Sequence, residues 1–348
     1  MKNIKALALF SGGLDSILAT HLVMAQEIEV LAVQFVTPFF NYDILADVEG
    51  HKALMLEKYG INVLVEDISE GYLKLLHNPE HGFGKNFNPC IDCKIMMFKR
   101  AKVLLEELGA SFLISGEVIG QRPMSQRRDT MNVIARDSDT RSLLLRPLCA
   151  QLMNETEAEQ KGWVDRSKLM KMSGRGRSPQ IALAKEYGIT DYPTPAGGCI
   201  LADPILSSRI KQLYSEQSIL EAAQVTVLDV RVLLAGRQML LPGGGWLILG
   251  RDEKDNEKIE KLFQAEDAML RMEDWPGPTA LLKKLDQYED EAAKKRDLEI
   301  AASLVVRYGR KLPTGADTRE VTCFRSTDTT IIDAAPMKGD NYRDWVLQ

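Results

Sequence analysis

The sequence predicts an α/β fold: a doubly wound parallel sheet followed by a smaller C-terminal α+β domain. Three observations predict it. Short apolar runs alternate with helical stretches through the first half of the 348-residue chain. The first run breaks into a polar glycine turn, Ser11-Gly12-Gly13-Leu14-Asp15-Ser16, before helical spacing resumes. Beyond Ser218 the text changes to strand-like runs and one long helical stretch, so the domains are expected at 1–217 and 218–348.

KALALF reads as the first strand and Ser16 to Met24 as its helix. EVLAVQFV is the second strand, followed by a helix over Asp43 to Tyr59. INVLVEDI is the third strand, Lys94 to Leu108 a strong amphipathic helix, and SFLISGE the fourth strand. Strands separated by helices run parallel and bind ligands beyond their carboxyl ends, where SGGLDS and SGEVIGQ both lie. From Arg122 to about Leu220 the chain is rich in Pro, Gly and Arg (GQRPMSQRRDT, SGRGRSPQ, YPTPAGGC), a composition suited to site-bearing loops. The smaller domain is read from VTVLDVRVLL, GGGWLILGRD, a helix over Glu253 to Ala265, and the run from Thr279 to Gly309.

Apolar residues make up 45% and charged residues 27%, an ordinary soluble composition. No apolar run approaches the roughly 20 residues of a membrane span, and the start does not read as a signal peptide. The expectation is a cytoplasmic enzyme without membrane contact. A net charge of -5 excludes a generally basic, nucleic-acid-coating protein but leaves room for a local basic groove. Five cysteines favour metal, redox or core roles over a disulfide scaffold. The four histidines, His21, His51, His77 and His81, are expected to be ordinary, with HNPEHG forming a turn.

The glycine turn carries the chemistry. Two glycines after a strand let the backbone fold tightly and a ligand approach, and their N–H groups join the helix N-terminus as an anion site. Ser11 and Ser16 add hydroxyls. Asp15 suits such a site when Mg²⁺ bridges it to phosphate. Neither the lysine of a P-loop NTPase nor a G-x-G-x-x-G turn is present. The structural alternative is a plain capped turn, with Ser11 or Asp15 as the cap. Asn88-Pro89-Cys90-Ile91-Asp92-Cys93-Lys94 sets two thiols at a spacing that shares a metal or cluster, or cycles as a dithiol. Cys199, in Pro195-Ala196-Gly197-Gly198-Cys199, is the best third member. Cys149 and Cys323 lie in apolar text and read as structural.

SGGLDS resembles the PP-loop of ATP pyrophosphatases. Together with NPCIDCK, SGEVIGQRPMSQ and PAGGC, in that order, the first 215 residues or so resemble tRNA thiouridylases of the PP-loop group, both 4-thiouridine synthetases and 2-thiouridylases. The resemblance implies an adenine nucleotide alpha hydrolase-like, Rossmann-like sheet and ATP-dependent conversion of a tRNA uridine to thiouridine. It implies Ala8, Leu9 and Phe35 beside adenine, and Ser11, Gly12, Gly13, Asp15 and Ser16 on pyrophosphate and Mg²⁺. Lys94, Gly116 and Gln126 match nucleotide-contacting positions, and Cys93 and Cys199 match the catalytic pair of disulfide-cycling enzymes. Cys90 is extra relative to many of those enzymes and points to a branch whose three cysteines, Cys90, Cys93 and Cys199, hold a 4Fe-4S cluster. Implied partners are tRNA, contacted through Arg122, Arg127, Arg128, Arg175 and Arg177, and a sulfur donor, free sulfide or a cysteine desulfurase; a homodimer is compatible. The tail after Gly244, chiefly GWLILGRDEKDNEKI, resembles the NFACT RNA-binding domain, although residues 221–348 carry a net charge of about -4. Two other readings stay open: sulfur transfer to a small molecule, and a non-catalytic RNA-binding factor.

Overall fold

A computed structural model describes residues 4–194, 199–214, 225–312, 314, 316–326 and 328–347. The described chain divides into two compact units, Met1–Ala202 and Asp203–Gln348. The expected boundary at 217/218 falls within 215–224, outside the described residues.

The first unit runs β1 (Lys5–Leu9), α1 (Leu14–Met24), β2 (Glu29–Val36), α2 (Val48–Tyr59), β3 (Asn62–Asp67), α3 (Ser69–His77), α4 (Cys90–Glu107), β4 (Phe112–Ser115), α5 (Arg128–Asp137), β5 (Leu144–Leu145), α6 (Glu157–Gln160) and α7 (Ser178–Glu186). The sheet order is β3-β2-β1-β4-β5, and every pairing is parallel. This is the predicted doubly wound sheet. The order reverses at β1, so the crevice beyond its carboxyl end is where such sheets take ligands. Alternation along the strands sorts the core into two layers. Ala6, Ala8, Ala32 and Ile114 pack with α1 residues Ile17 and Leu18. Leu7, Val33, Phe35 and Leu113 pack with α4 residues Ile95, Phe98 and Ala101.

Two helices depart from expectation. The stretch 43–59 splits into a 3-10 turn, Tyr42–Ala46, and α2, because Asp47 leaves the helical conformation (φ -151°, ψ 77°) and caps α2 by accepting from the Gly50 N–H at 2.9 Å. Helix α4 starts at Cys90 rather than Lys94, with Pro89 as N-cap, so the C-x-x-C pair lies within the first helical turn.

The second unit contains α8 (Pro204–Leu213), α9 (Val227–Leu233), β6 (Arg237–Leu240), β7 (Trp246–Leu249), α10 (Glu253–Lys261), β8 (Ala268–Arg271), β9 (Ala280–Lys283), α11 (Glu291–Tyr308), β10 (Arg319–Phe324) and β11 (Thr329–Ala334). Its sheet, β11-β10-β8-β9-β7-β6, is antiparallel throughout. Ala301, Ala302, Leu304 and Val305 of α11 cover one face of it, giving the expected α+β unit. Asp297 of α11 accepts from the Gly243 and Gly245 N–H groups at 2.9 and 3.0 Å, which fixes the glycine turn before β7. No helix among the described residues is long and apolar enough to cross a membrane.

Candidate functional site

The junction of β1 and α1 opens the site. Gly12 has φ +73°, a conformation that favours glycine. Gly13 is the N-cap of α1, and no side chain caps the helix, so the capped-turn alternative fails for both Ser11 and Asp15. The first amides of α1 therefore remain for an anion. The Ser16 hydroxyl donates to the Gly13 carbonyl at 2.7 Å and accepts from the Ser11 N–H at 3.3 Å, which curls the turn on itself.

Asp15 is held from one side. Its Oδ2 accepts from Gln121 Nε2 at 2.5 Å, and Gln121 Oε1 accepts from Gln180 Nε2 at 3.0 Å. Its Oδ1 is buried and has no hydrogen-bond partner among the described residues. A buried carboxylate oxygen without a donor is costly, and a hard cation would satisfy it. The residues present therefore fit Mg²⁺. Gly116 explains the close approach here: a Cβ would lie 2.6 Å from the Asp15 carbonyl carbon and oxygen and 2.7 Å from the Ser16 nitrogen.

The next residue, Glu117, is buried between Lys94, whose ammonium contacts Oε1, and Arg146, whose Nε donates to Oε2 at 2.7 Å. Burial opposes its ionisation, but the two cations prevail and hold the carboxyl down to about 2. Lys94 follows Cys93 in α4, so this ion triad joins the glycine turn to the thiols.

The three cysteines form one electrostatic group. Burial pushes the Cys93 thiol up to about 12, with Cys90 and Cys199 adding to the rise. Burial also raises Cys199, and Cys90 raises it further while the Arg122 charge lowers it. Buried Tyr72 of α3 lies among all three thiols, its phenol against Cys93. Cys90, Cys93 and Cys199 influence one another's ionisation, and an all-sulfur donor set is the chemical kind that takes an iron–sulfur group. Of PAGGC only Cys199 is described; Pro195 to Gly198 lie outside the described residues. Cys149 and Cys323 are buried, with raised thiols, as structural cysteines would be.

Leu9 and Phe35 belong to the α4 face of the sheet, whereas the Ala8 side chain belongs to the α1 face. Gln126 is buried with Oε1 unpartnered among the described residues. The arginines are less uniform. Arg127 pairs with Asp129 at 2.8 Å, and Arg128 donates to the Leu152 carbonyl at 2.9 Å. Arg122 is exposed near Cys199. Arg175 and Arg177 sit in the turn before α7, which is laced to the SGEVIGQ loop through the Gly174 N–H on the Ile119 carbonyl at 2.7 Å.

Sequence reasoning missed Tyr72, Glu117, Gln121, Arg146 and Gln180, all buried. It also took His81 as ordinary. That histidine bridges two carboxylates, Asp92 Oδ1 at 3.0 Å and Asp137 Oδ2 at 3.1 Å.

The parallel sheet and its SGGLDS turn form an α/β unit with a ligand crevice beyond β1. Residues 2–161 match the family described as thiamine biosynthesis protein (ThiI), and residues 236–346 match the NFACT protein RNA binding domain. Both resemblances read from the motifs are borne out. The chain is 30% identical over 117 residues, 34% of its length, to a probable tRNA sulfurtransferase of Methanothermobacter thermautotrophicus, covering 30% of that relative. A probable tRNA sulfurtransferase of Thermococcus kodakarensis is also 30% identical, over 39% of this chain and 35% of the relative. The matches thus span about a third of the curated relatives' length. Among solved structures, a 4-thiouridine synthetase–RNA complex with bound ATP aligns with a TM-score of 0.39 at 22% identity, over 66% of this chain and 52% of that one. The U34-tRNA thiolase NcsA from Methanococcus maripaludis, with its 4Fe-4S cluster, aligns with a TM-score of 0.33 at 18% identity, over 62% and 68%.

Proposed function

We propose that the chain is an ATP-dependent tRNA sulfurtransferase of the cytoplasm that converts a uridine to a thiouridine. The observation that carries this reading is the continuous path from Asp15 through Gly116, Glu117 and Lys94 to the thiols of Cys93, Cys90 and Cys199. The curated relatives' names, probable tRNA sulfurtransferase, support the substrate class.

The uridine carbonyl oxygen attacks the α-phosphorus of ATP, and pyrophosphate departs with the bonding electrons. Sulfur then bonds to the ring carbon and AMP leaves with the oxygen. The turn amides and the hydroxyls of Ser11 and Ser16 hold the phosphates, and their fixed dipoles face the growing charge. Asp15, oriented by Gln121, offers its free oxygen to Mg²⁺, which supplies charge neutralisation at the phosphates. Leu9 and Phe35 border adenine. Lys94, kept in place by Glu117, and Gln126 contact the nucleotide. Cys90, Cys93 and Cys199 would hold a 4Fe-4S cluster, which supplies an open iron for sulfide. The sulfur comes from free sulfide or a cysteine desulfurase. The target base is unstacked to reach the site, and Arg122, Arg127, Arg128, Arg175 and Arg177 contact the RNA backbone.

Anaerobic purification with iron and sulfide assay and visible absorption tests the cluster. Iron at cluster stoichiometry, lost in Cys90→Ala, is expected; activity without iron would leave only a persulfide route through Cys93 and Cys199. Loss of 4- or 2-thiouridine from the bulk tRNA of a deletion strain tests the acceptor. The net charge of about -4 over residues 221–348 favours a second reading, sulfur transfer to a small molecule. Unchanged tRNA thiolation in the deletion strain would select it.

A further inference from the structure

Residues 78–89, between α3 and α4, form an irregular segment anchored at several points. The His81 ring and N–H bind the Asp92 carboxylate, each at 3.0 Å, and the ring also reaches Asp137. Asn86 Nδ2 donates to the Ala202 carbonyl at 2.6 Å, three residues beyond Cys199. The Gly84 N–H donates to the Asn88 carbonyl at 2.9 Å, and the Met124 side chain occupies the space a Gly84 Cβ would take. The segment is thus tied to the helix carrying Cys90 and Cys93, to the stretch after Cys199, and to the arginine loop around Arg122.

At its apex the Phe83 ring stacks on Phe87, with centroids 4.1 Å apart and planes 23° from parallel. Phe87 is buried at 8% exposure while Phe83 is 39% exposed. A buried ring therefore props an outward one, and Phe83 contributes little to the core. Lys85, two residues on, is exposed, as is Arg122.

We propose that Phe83 is a stacking platform for an unpaired RNA base brought to the three thiols, with the exposed Lys85, two residues on, and Arg122, on the loop packed against Gly84, serving the neighbouring phosphates. This rests on the tRNA reading given above. Every base has a π-face, so an aromatic ring accepts an extruded nucleotide without reading its edges. The exposed cations of these two loops favour a polyanion over an apolar protein partner.

The test uses the full chain and labelled tRNA in anisotropy titrations, with binding of a fluorescent ATP analogue as a control for folding. Phe83→Ala and Phe83→Leu are expected to weaken tRNA binding roughly five- to hundredfold, with ATP-analogue affinity unchanged. Phe83→Trp should restore tRNA binding, and its fluorescence should be quenched on adding tRNA. If Phe83→Leu, apolar but not aromatic, binds as the wild type does, the platform is wrong while the tRNA reading stands. If the wild type binds no tRNA, both fall.

Discussion

Gln121 donates from Nε2 to Asp15 Oδ2 at 2.5 Å, across 106 positions of sequence, and is itself held by Gln180 at 3.0 Å. The pair leaves Asp15 Oδ1 as the only carboxylate oxygen of that side chain without a donor among the described residues. Removing Gln121 frees the carboxylate to rotate. We expect Gln121→Ala to weaken Mg²⁺-dependent ATP binding by about tenfold, the effect of one lost hydrogen bond to a charged group. ATP titrations at several Mg²⁺ concentrations check this. Unchanged Mg²⁺ dependence would show that Gln121 does not orient Asp15.

Glu117 neutralises two cations at once, the buried Arg146 and the half-buried Lys94. Its ordinary value near 4.5 falls to about 2 in the fold. The stabilisation is therefore present above pH 4.5 and is lost as pH drops through the depressed value. Glu117→Gln should cost about 3–5 kcal/mol at neutral pH, because the buried Arg146 and the half-buried Lys94 would both lose their counter-charge. Urea unfolding of the variant measures it, and its acid limb should be flatter than that of the wild type.

At Gly116 the obstacle to a side chain is main-chain atoms of Asp15 and Ser16, which cannot rotate away. Gly116→Ala should push β4 from the start of α1, costing about 1–3 kcal/mol and abolishing measurable ATP binding. Retained wild-type affinity for ATP would mean that the junction tolerates the displacement.

The hydrogen bond to Asp92 is the main reason His81 titrates above its ordinary 6.5, with Asp137 adding to it and partial burial opposing. Its contribution is complete below pH 6.5 and fades as pH rises through the raised value. Hydrogen exchange at the 82–85 amides, corrected for intrinsic rates, should show less protection at pH 8 than at pH 6. In His81→Asn that difference should disappear. A persistent difference would assign the effect to another group.

The doubly wound sheet was legible because its strands are short apolar runs whose burial needs no distant information. The glycine turn was legible because Gly12 and Gly13 are local punctuation. The start of α4 was not, since Pro89-Cys90-Ile91-Asp92-Cys93 reads as loop until the proline is recognised as a cap. Glu117, Gln121 and Gln180 were invisible for a different reason. Their partners Arg146, Asp15 and Gln121 lie 29, 106 and 59 positions away. No local pattern marks a carboxylate or an amide whose role is set by such distant contacts. His81 shows the same limit: the turn was foreseen, the two carboxylates that grip its imidazole were not.

The position of Cys90 and Cys93 in the opening turn of α4 decides what holds the two thiols in place. Residues three apart on a helix keep a fixed spacing whatever lies between their side chains. The scaffold of these two sulfurs is thus assembled by peptide hydrogen bonds, including that of the Cys93 N–H to the Pro89 carbonyl at 2.8 Å. A finger that folds only around its metal must be rebuilt at each loading. Here the spacing of the two thiols is set by the helix alone, so it does not depend on any group bound between them.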